Sequence, residues 1–151
     1  MSDNWITIIP QDPLHVPDEE KREATLRHFR DIAPDSDEIE IKLSEKIRFF
    51  DCGANFSSIS CPSCGNEIEM EWWQDRMSDD FQEGEFRLEK YEAPCCRAPV
   101  SLAELKYDWP QGFARFGLDA MNPNIGELSE SHRKEFEDLL GTKLTFIRRH
   151  I

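Results

Sequence analysis

The chain has 151 residues and a formal charge of −13, from 18 Lys and Arg against 31 Asp and Glu. Leu, Ile, Val and Phe make up 35 of these residues, which is enough apolar material for a core and excludes a fully disordered chain. No apolar run reaches the roughly 18–20 residues of a membrane span, and no basic-then-apolar leader opens the sequence.

The acidic residues are concentrated in two stretches of the chain. Residues 1–45 hold 12 acids and 5 bases, and residues 66–92 hold 10 acids and 3 bases. Because phosphate backbones are bound by concentrated basic surfaces, this distribution disfavours direct nucleic-acid binding. An acidic surface either keeps a protein soluble or steers it toward a basic protein partner, and both interpretations stay open.

The first part of the chain predicts a strand, a helix and two more strands. Residues 5–9 form a β-rich run, and Pro17 sits well in the first turn of a helix. Residues 38–43 alternate between apolar and charged, so they predict a half-buried strand. We expect a hairpin turn at Ser44-Glu45 and a returning strand over 47–50. The helix residues expected to face the core are Leu26, Phe29, Ile32 and Ala33.

The middle of the chain has a different character. Apolar Ile68, Met70 and Trp72 alternate with glutamates, which predicts a strand. A short helix with Trp73, Met77 and Phe81 on one stripe should follow, and then a strand over 86–92. Ser101-Leu-Ala-Glu104 matches a capping box and predicts a further short helix.

The last part of the chain predicts a strand, a capped helix and a closing strand. Even positions from 114 to 120 are apolar, Ser129 or Ser131 can cap a helix that ends before Gly141, and residues 144–151 are β-rich. The predicted fold is therefore α+β, and its element order resembles a ferredoxin-like βαβ-type sandwich. Residues 1–60 and 101–151 would form that core, with residues 61–100 inserted. Another small α+β sheet is the alternative.

Five cysteines in a chain without a leader favour a reducing, cytoplasmic location, where metal ligands are commoner than disulfides. In Cys61-Pro62-Ser63-Cys64-Gly65, two intervening residues allow one tight turn to aim both sulfurs at one point. Proline pre-sets such a turn, and glycine permits the backbone conformation that follows it. Thiolates are the ligands that structural zinc prefers, so this stretch predicts metal binding.

This stretch resembles the knuckle of the zinc-ribbon families, and the resemblance covers about 40 of the 151 residues. The chain also resembles small stand-alone bacterial proteins. A standard ribbon repeats the two-residue gap, whereas Cys95 and Cys96 are adjacent, so the backbone near Pro94 must turn sharply if both bind one ion. We expect one structural zinc bound by Cys61, Cys64, Cys95 and Cys96. The alternatives are Cys52 in place of one vicinal cysteine, a histidine or carboxylate ligand, or no metal.

Glu67, Glu69, Glu71 and Trp73 are the candidate partner-binding residues. The three glutamates would share one strand face, and tryptophan is common at interface hot spots. A solvated face and a core tryptophan explain the same residues, and that interpretation stays open.

These observations favour a non-enzymatic protein-interaction module. Four cysteines close the metal shell, and no catalytic zinc motif accompanies them. The most concrete hypothesis is an immunity-type inhibitor that binds a basic partner such as a nuclease toxin. One alternative is a zinc-ribbon adaptor or regulator in a transcription or RNA-processing assembly. Another is a thiol redox switch at Cys95 and Cys96.

Overall fold

A computed structural model of the chain describes residues 3–151. It is a mixed α+β fold with three helices and antiparallel sheets, which confirms the predicted fold class. Within the described residues, no helix is both long and apolar enough to span a bilayer. The elements in chain order are β1 (Asn4–Pro10), α1 (Glu19–Ile32), β2 (Glu38–Phe50), β3 (Ser58–Ser60), α2 (Met70–Asp80), β4 (Phe81–Gln82), β5 (Glu85–Phe86), β6 (Tyr91–Glu92), β7 (Pro99–Val100), β8 (Lys106–Asp108), β9 (Gly112–Met121), α3 (Glu130–Leu140) and β10 (Leu144–His150).

The main sheet has the strand order β10-β1-β9-β2, and every neighbouring pair is antiparallel. Apolar side chains of β1 and β9 face α1 and α3, since Ile6, Ile8 and Leu118 pack in one cluster with Phe29 and Phe136. Each of these side chains is at most 2% exposed. Burying apolar surface on this scale is the main favourable contribution to the stability of the layer.

Both helices of this layer end where the sequence predicts, and α3 begins at the predicted cap Ser129. Pro17 lies just before the N-cap residue Asp18 of α1 and not in the first turn of the helix, as predicted. The Asp18 carboxylate accepts the Lys21 N–H at the start of α1, and the Ser129 hydroxyl accepts the His132 N–H at the start of α3. Gly141 closes α3 with φ of 69°, a left-handed conformation that glycine adopts without a Cβ clash. The strands β1, β9 and β10 also confirm the predicted runs.

The hairpin predicted at Ser44-Glu45 is wrong. Residues 38–50 form the single strand β2, because both of its halves pair with the same neighbour, β9. Leu43 stands opposite Phe116 and Arg48 opposite Ala114, so residues 44–47 face Arg115 alone. The extra residues are accommodated as a bulge-like irregularity instead of a chain reversal.

A second apolar cluster holds the cysteine-containing segment against the end of the main sheet. Trp73 lies at its centre, with ring centroids 5.1 Å from Phe56 and 6.0 Å from Phe49. Phe113, near the start of β9, has its ring centroid 5.0 Å from that of Phe49. The strands β2 and β9 therefore extend past the helix-covered layer and supply apolar side chains to both clusters.

The strand predicted over Ile68–Trp72 is wrong, because a helix already begins at Met70. Trp73 and Met77 lie one helical turn apart and both pack into the second cluster, so the helical period is the one that buries apolar surface. The helix ends at Asp80, and Phe81 lies beyond it in β4, 48% exposed.

The strand predicted over 86–92 is broken into β5 and β6. Leu88 has a positive φ of 54°, and its N–H donates to the buried carboxylate of Asp80, as does the N–H of Glu89. The helix predicted to start at Ser101 does not form, and residues 101–104 make one hydrogen-bonded turn instead. The Glu104 carboxylate accepts the Ser101 N–H as a capping box requires, but the chain enters β8 at Lys106.

Candidate metal centre

The first cysteine pair lies in a tight, hydrogen-bonded loop. The Gly65 N–H donates to the Cys61 carbonyl at 3.0 Å, and the Cys61 N–H donates to the Asn66 carbonyl at 2.9 Å. Gly65 has φ of 79°, and no atom lies within 4 Å of where its Cβ would be. The glycine is therefore needed for its backbone conformation and not for space.

The second cysteine pair lies in a loop with the same backbone hydrogen bonds. The Arg97 N–H donates to the Ala93 carbonyl at 2.9 Å, and the Ala93 N–H donates to the Ala98 carbonyl at 2.9 Å. Arg97 has φ of 64° at the position that corresponds to Gly65. Residues 93–98 thus repeat the turn of residues 61–66, and Pro94 corresponds to Pro62.

This correspondence explains how adjacent cysteines meet one point. Ala93 occupies the position of Cys61, Cys96 occupies that of Cys64, and Cys95 takes the position of Ser63 at the tip of the turn. Cα–Cβ bonds of neighbouring residues point apart on an extended strand, but not in a tight turn. The sequence signal for this arrangement is the alignment of Cys-Pro-Ser-Cys-Gly with Ala-Pro-Cys-Cys-Arg.

The four sulfurs form a compact group. The Sγ atoms of Cys61, Cys64, Cys95 and Cys96 all lie within 4.8 Å of one another. Cys61 Sγ is 3.7 Å from Cys96 Sγ, and Cys64 Sγ is 3.3 Å from Cys95 Sγ. A tetrahedral site with zinc–sulfur bonds of about 2.3 Å has sulfur–sulfur edges of about 3.8 Å. All four are free cysteines, so the group could hold a metal ion.

Two of the four thiols have shifted pKa values. Hydrogen bonding from the Cys64 backbone lowers the pKa of Cys61 to about 7. The hydrogen bond with the Cys64 side chain, together with burial, raises the pKa of Cys95 to about 12. Four thiolates this close repel one another unless a cation lies between them, which is the usual linkage between metal binding and proton release.

Cys52 lies outside this group. Its side chain is fully buried, with Sγ 3.3 Å from Gln111 Oε1 and 3.7 Å from the Trp109 carbonyl. Burial raises the pKa of the Cys52 thiol. The structure therefore does not bring Cys52 to the metal cluster as a replacement for a vicinal cysteine.

The glutamates predicted to bind a partner are exposed, but they do not share one strand face. Glu67 forms an isolated bridge with Ser60, Glu69 is the N-cap residue of α2, and Glu71 lies in the first turn of that helix. Glu69 and Glu71 lie at the helix N-terminus, where the helix dipole favours negative charge, and Glu67 lies just before it.

Trp73 does not fit its predicted role as an exposed partner contact. It is 9% exposed, and its indole N–H donates to the Tyr107 hydroxyl at 3.1 Å. The core interpretation of this residue is the one that its burial supports, because the helix turns Trp73 inward and leaves Trp72 partly exposed.

Comparisons of the chain with protein-family models, with curated proteins and with solved structures found no match.

Proposed function

We propose that this protein is an acidic, zinc-stapled interaction module that binds a basic protein partner. In this proposal the main sheet and its two helices form a ferredoxin-like unit, and residues 61–100 form a zinc-ribbon insert. The strand order β10-β1-β9-β2, with helices after β1 and after β9, supports the first part. The paired turns around the four cysteines support the second.

Zinc is the metal that suits this ligand set best. Four thiolates are soft donors, they supply the complete tetrahedral shell of a structural site, and they leave no open position for a reacting water. The two turns come from distant parts of the segment, with 30 residues between Cys64 and Cys95. An ion that joins them would fix the start of α2 relative to β6 and β7.

The observation that carries the partner proposal is an unneutralised group of carboxylates beside this centre. The acidic face consists of Glu67, Glu69, Glu71 and Asp75, all exposed. Among residues 3–151, none of the four forms an ion pair, whereas Asp79, Glu83, Glu85 and Glu92 nearby all pair with arginines. Like charges held together without counterions raise the local negative potential, which favours association with a basic surface.

The acidic face also has apolar neighbours. Met70 is 37% exposed at the start of α2, and Trp72 is partly exposed between Glu71 and Asp75. Interfaces combine such apolar anchors with a charged rim. An immunity-type inhibitor that covers the active surface of a basic toxin, such as a nuclease, is the most concrete form of this proposal. A cytoplasmic location would keep the four thiols reduced.

The proposal is tested by affinity capture from an extract of the source organism. The bait is the zinc-loaded protein, and the matched variants are Glu67→Lys/Glu69→Lys/Glu71→Lys and Glu19→Lys/Glu20→Lys/Glu23→Lys on α1. We expect the wild type and the α1 variant to retain one stoichiometric basic protein that is released by salt. The first variant should lose it while keeping its zinc.

Two outcomes would contradict the proposal. One is a captured partner that all three baits retain equally, because the acidic face would then not be the interface. The other is tight binding of DNA or RNA at physiological salt, which would favour a nucleic-acid adaptor instead.

A further inference from the structure

A cleft of about 170 Å³ opens on the face of the main sheet that the helices do not cover. Ile6 and Ile8 of β1 face the helices, so Thr7 between them points to the opposite side. Thr7 lines the cleft together with its cross-strand neighbour Asp119 on β9. The cysteine centre does not contribute to its lining.

The cleft is positively charged in a protein that is strongly negative. Its lining includes four cations and two carboxylates, and Glu40, which pairs with the lining residue Lys42 at 3.1 Å, reduces the surplus from two positive charges to one. The formal charge of the whole chain is −13. The charged lining residues are Lys42, Arg48, Arg115, Arg149, Asp51 and Asp119.

Several hydrogen-bond donors of these cations have no partner in the part of the chain that the structure describes. Arg48 is exposed and makes neither an ion pair nor a side-chain hydrogen bond there. Arg115 uses only its Nε, which donates to the Ser44 carbonyl at 3.2 Å. Arg149 has a buried Nε without a partner, and its guanidinium lies 4.2 Å from the centre of the Trp5 ring.

The floor of the cleft holds a buried carboxylate with one oxygen left for a ligand. Thr7 Oγ1 donates to Asp119 Oδ1 at 2.6 Å, and Asp119 is only 7% exposed. The nearest cation to Asp119 Oδ2 is the Lys42 ammonium, at 4.0 Å. Asp119 Oδ2 accepts no hydrogen bond within residues 3–151, so it is available to accept one from a ligand hydroxyl in the cleft.

We propose that this cleft binds a small phosphate monoester that carries a hydroxyl group. The phosphate would lie against the guanidinium groups, which bind phosphate oxygens in bidentate fashion. A phosphate monoester carries about −1.5 to −2 charges at pH 7, and its three terminal oxygens can accept from more than one guanidinium group at once. The hydroxyl would donate to Asp119 Oδ2. This inference is independent of the acidic face and of the metal centre.

The experiment is isothermal titration of the zinc-loaded protein at constant ionic strength. The probes are inorganic phosphate, glycerol 3-phosphate and glycerol. We expect saturable binding of both anions, tighter binding of glycerol 3-phosphate, and none of glycerol. Arg48→Gln should raise the dissociation constant about tenfold or more, because it removes a charged hydrogen-bond donor. Arg27→Gln on α1, an equally exposed arginine on the other side of the sheet, should leave it unchanged.

The absence of saturable anion binding would overturn the proposal. Equal weakening of anion binding by Arg48→Gln and Arg27→Gln would also overturn it, because it would show that binding depends on the total charge of the protein and not on the cleft. Equal affinity for inorganic phosphate and glycerol 3-phosphate would overturn the role of Asp119. A phosphoserine peptide distinguishes the source of the phosphate group. If it binds more tightly than glycerol 3-phosphate, the ligand is a modified protein and not a free ester.

Discussion

At the scale of single residues, the candidate metal centre depends as much on backbone conformation as on its sulfurs. Gly65 and Arg97 hold the two turns with φ of 79° and 64°. A left-handed residue with a side chain costs about 1–2 kcal/mol relative to its usual conformation. The second turn therefore contains a conformational cost at Arg97 that the first turn avoids with glycine.

Substitution of one ligand should remove the metal. We expect Cys64→Ser and Cys96→Ser to reduce zinc from one ion per chain to none, as measured by elemental analysis of the purified protein. Structural zinc contributes on the order of 10 kcal/mol in small fingers, so calorimetry should also show the second cluster melting earlier than the helix-covered layer. The matched control is Cys52→Ser, because Cys52 lies outside the sulfur group. A Cys64→Ser protein with unchanged zinc would refute the ligand assignment.

The sequence predicted from their chemistry which four cysteines come together, but not their arrangement. A Cys-Pro-x-Cys-Gly turn is typical of structural metal sites, so residue type and spacing alone selected these cysteines. By contrast, Trp72 and Trp73 are identical residues at consecutive positions. Only the rotational phase of the helix decides which of the two is buried. The acidic neighbours of both residues gave no information on that phase.

At the scale of elements, the two turns are equivalent backbones with different ligand positions. The first provides sulfurs at its first and fourth positions, and the second at its third and fourth. Ala93 occupies the first position of the second turn and is fully buried, as Cys61 is. The two turns therefore have the same backbone. The second differs from the first only in that one of its two cysteines stands at the third position and not at the first.

This equivalence predicts that the standard spacing can replace the vicinal pair. We expect Cys95→Ser alone to lose zinc affinity and Ala93→Cys/Cys95→Ser to recover it, because the new sulfur would stand where Cys61 stands in the first turn. Competition with a chromophoric chelator measures both affinities. The control is Ala98→Cys/Cys95→Ser, which adds a sulfur at a position that has no ligand in the first turn. Equal recovery by both double variants would show that the turns are not equivalent.

The elements that the sequence predicted well are those whose burial is settled by local periodicity. The helices α1 and α3 and the strand β9 each have an apolar stripe that matches the layer they pack against. The errors lie where a distant partner decides the outcome. Residues 44–47 bulge and do not turn because β9 continues alongside β2. Likewise, residues 88–89 leave a strand conformation because Asp80 accepts their N–H groups.

At the scale of the whole molecule, the second cluster links the metal centre to the main sheet. Tyr107 packs against this cluster, and Tyr91 stands opposite Val100, a member of the cluster, in the pair β6–β7. The Tyr107 hydroxyl donates to the Leu102 carbonyl at 2.7 Å, and the Tyr91 hydroxyl donates to Asp80 Oδ1 at 2.8 Å. Burial raises the pKa of both, and the hydrogen bond to the Asp80 carboxylate raises the pKa of Tyr91 further.

These raised pKa values predict the alkaline limit of the fold. An unfolded tyrosine ionises near pH 10, whereas the folded environment favours the neutral phenol. The stability that the two phenols contribute is therefore complete below about pH 10 and is lost as the pH rises above it, since unfolding then releases protons. We expect no tyrosinate absorbance at 295 nm near pH 10 in the folded protein, and its appearance only together with loss of the far-ultraviolet circular dichroism.

The unfolded chain in guanidinium chloride provides the reference, because both of its tyrosines should titrate near pH 10. Tyr107→Phe separates the two groups and leaves Tyr91 as the only signal. If the folded wild type showed half of its tyrosinate absorbance at 295 nm near pH 10, one phenol would be exposed to solvent. The second cluster would then be open on that side, and the metal turns could not be held against the sheet by the contacts of Tyr91 and Tyr107.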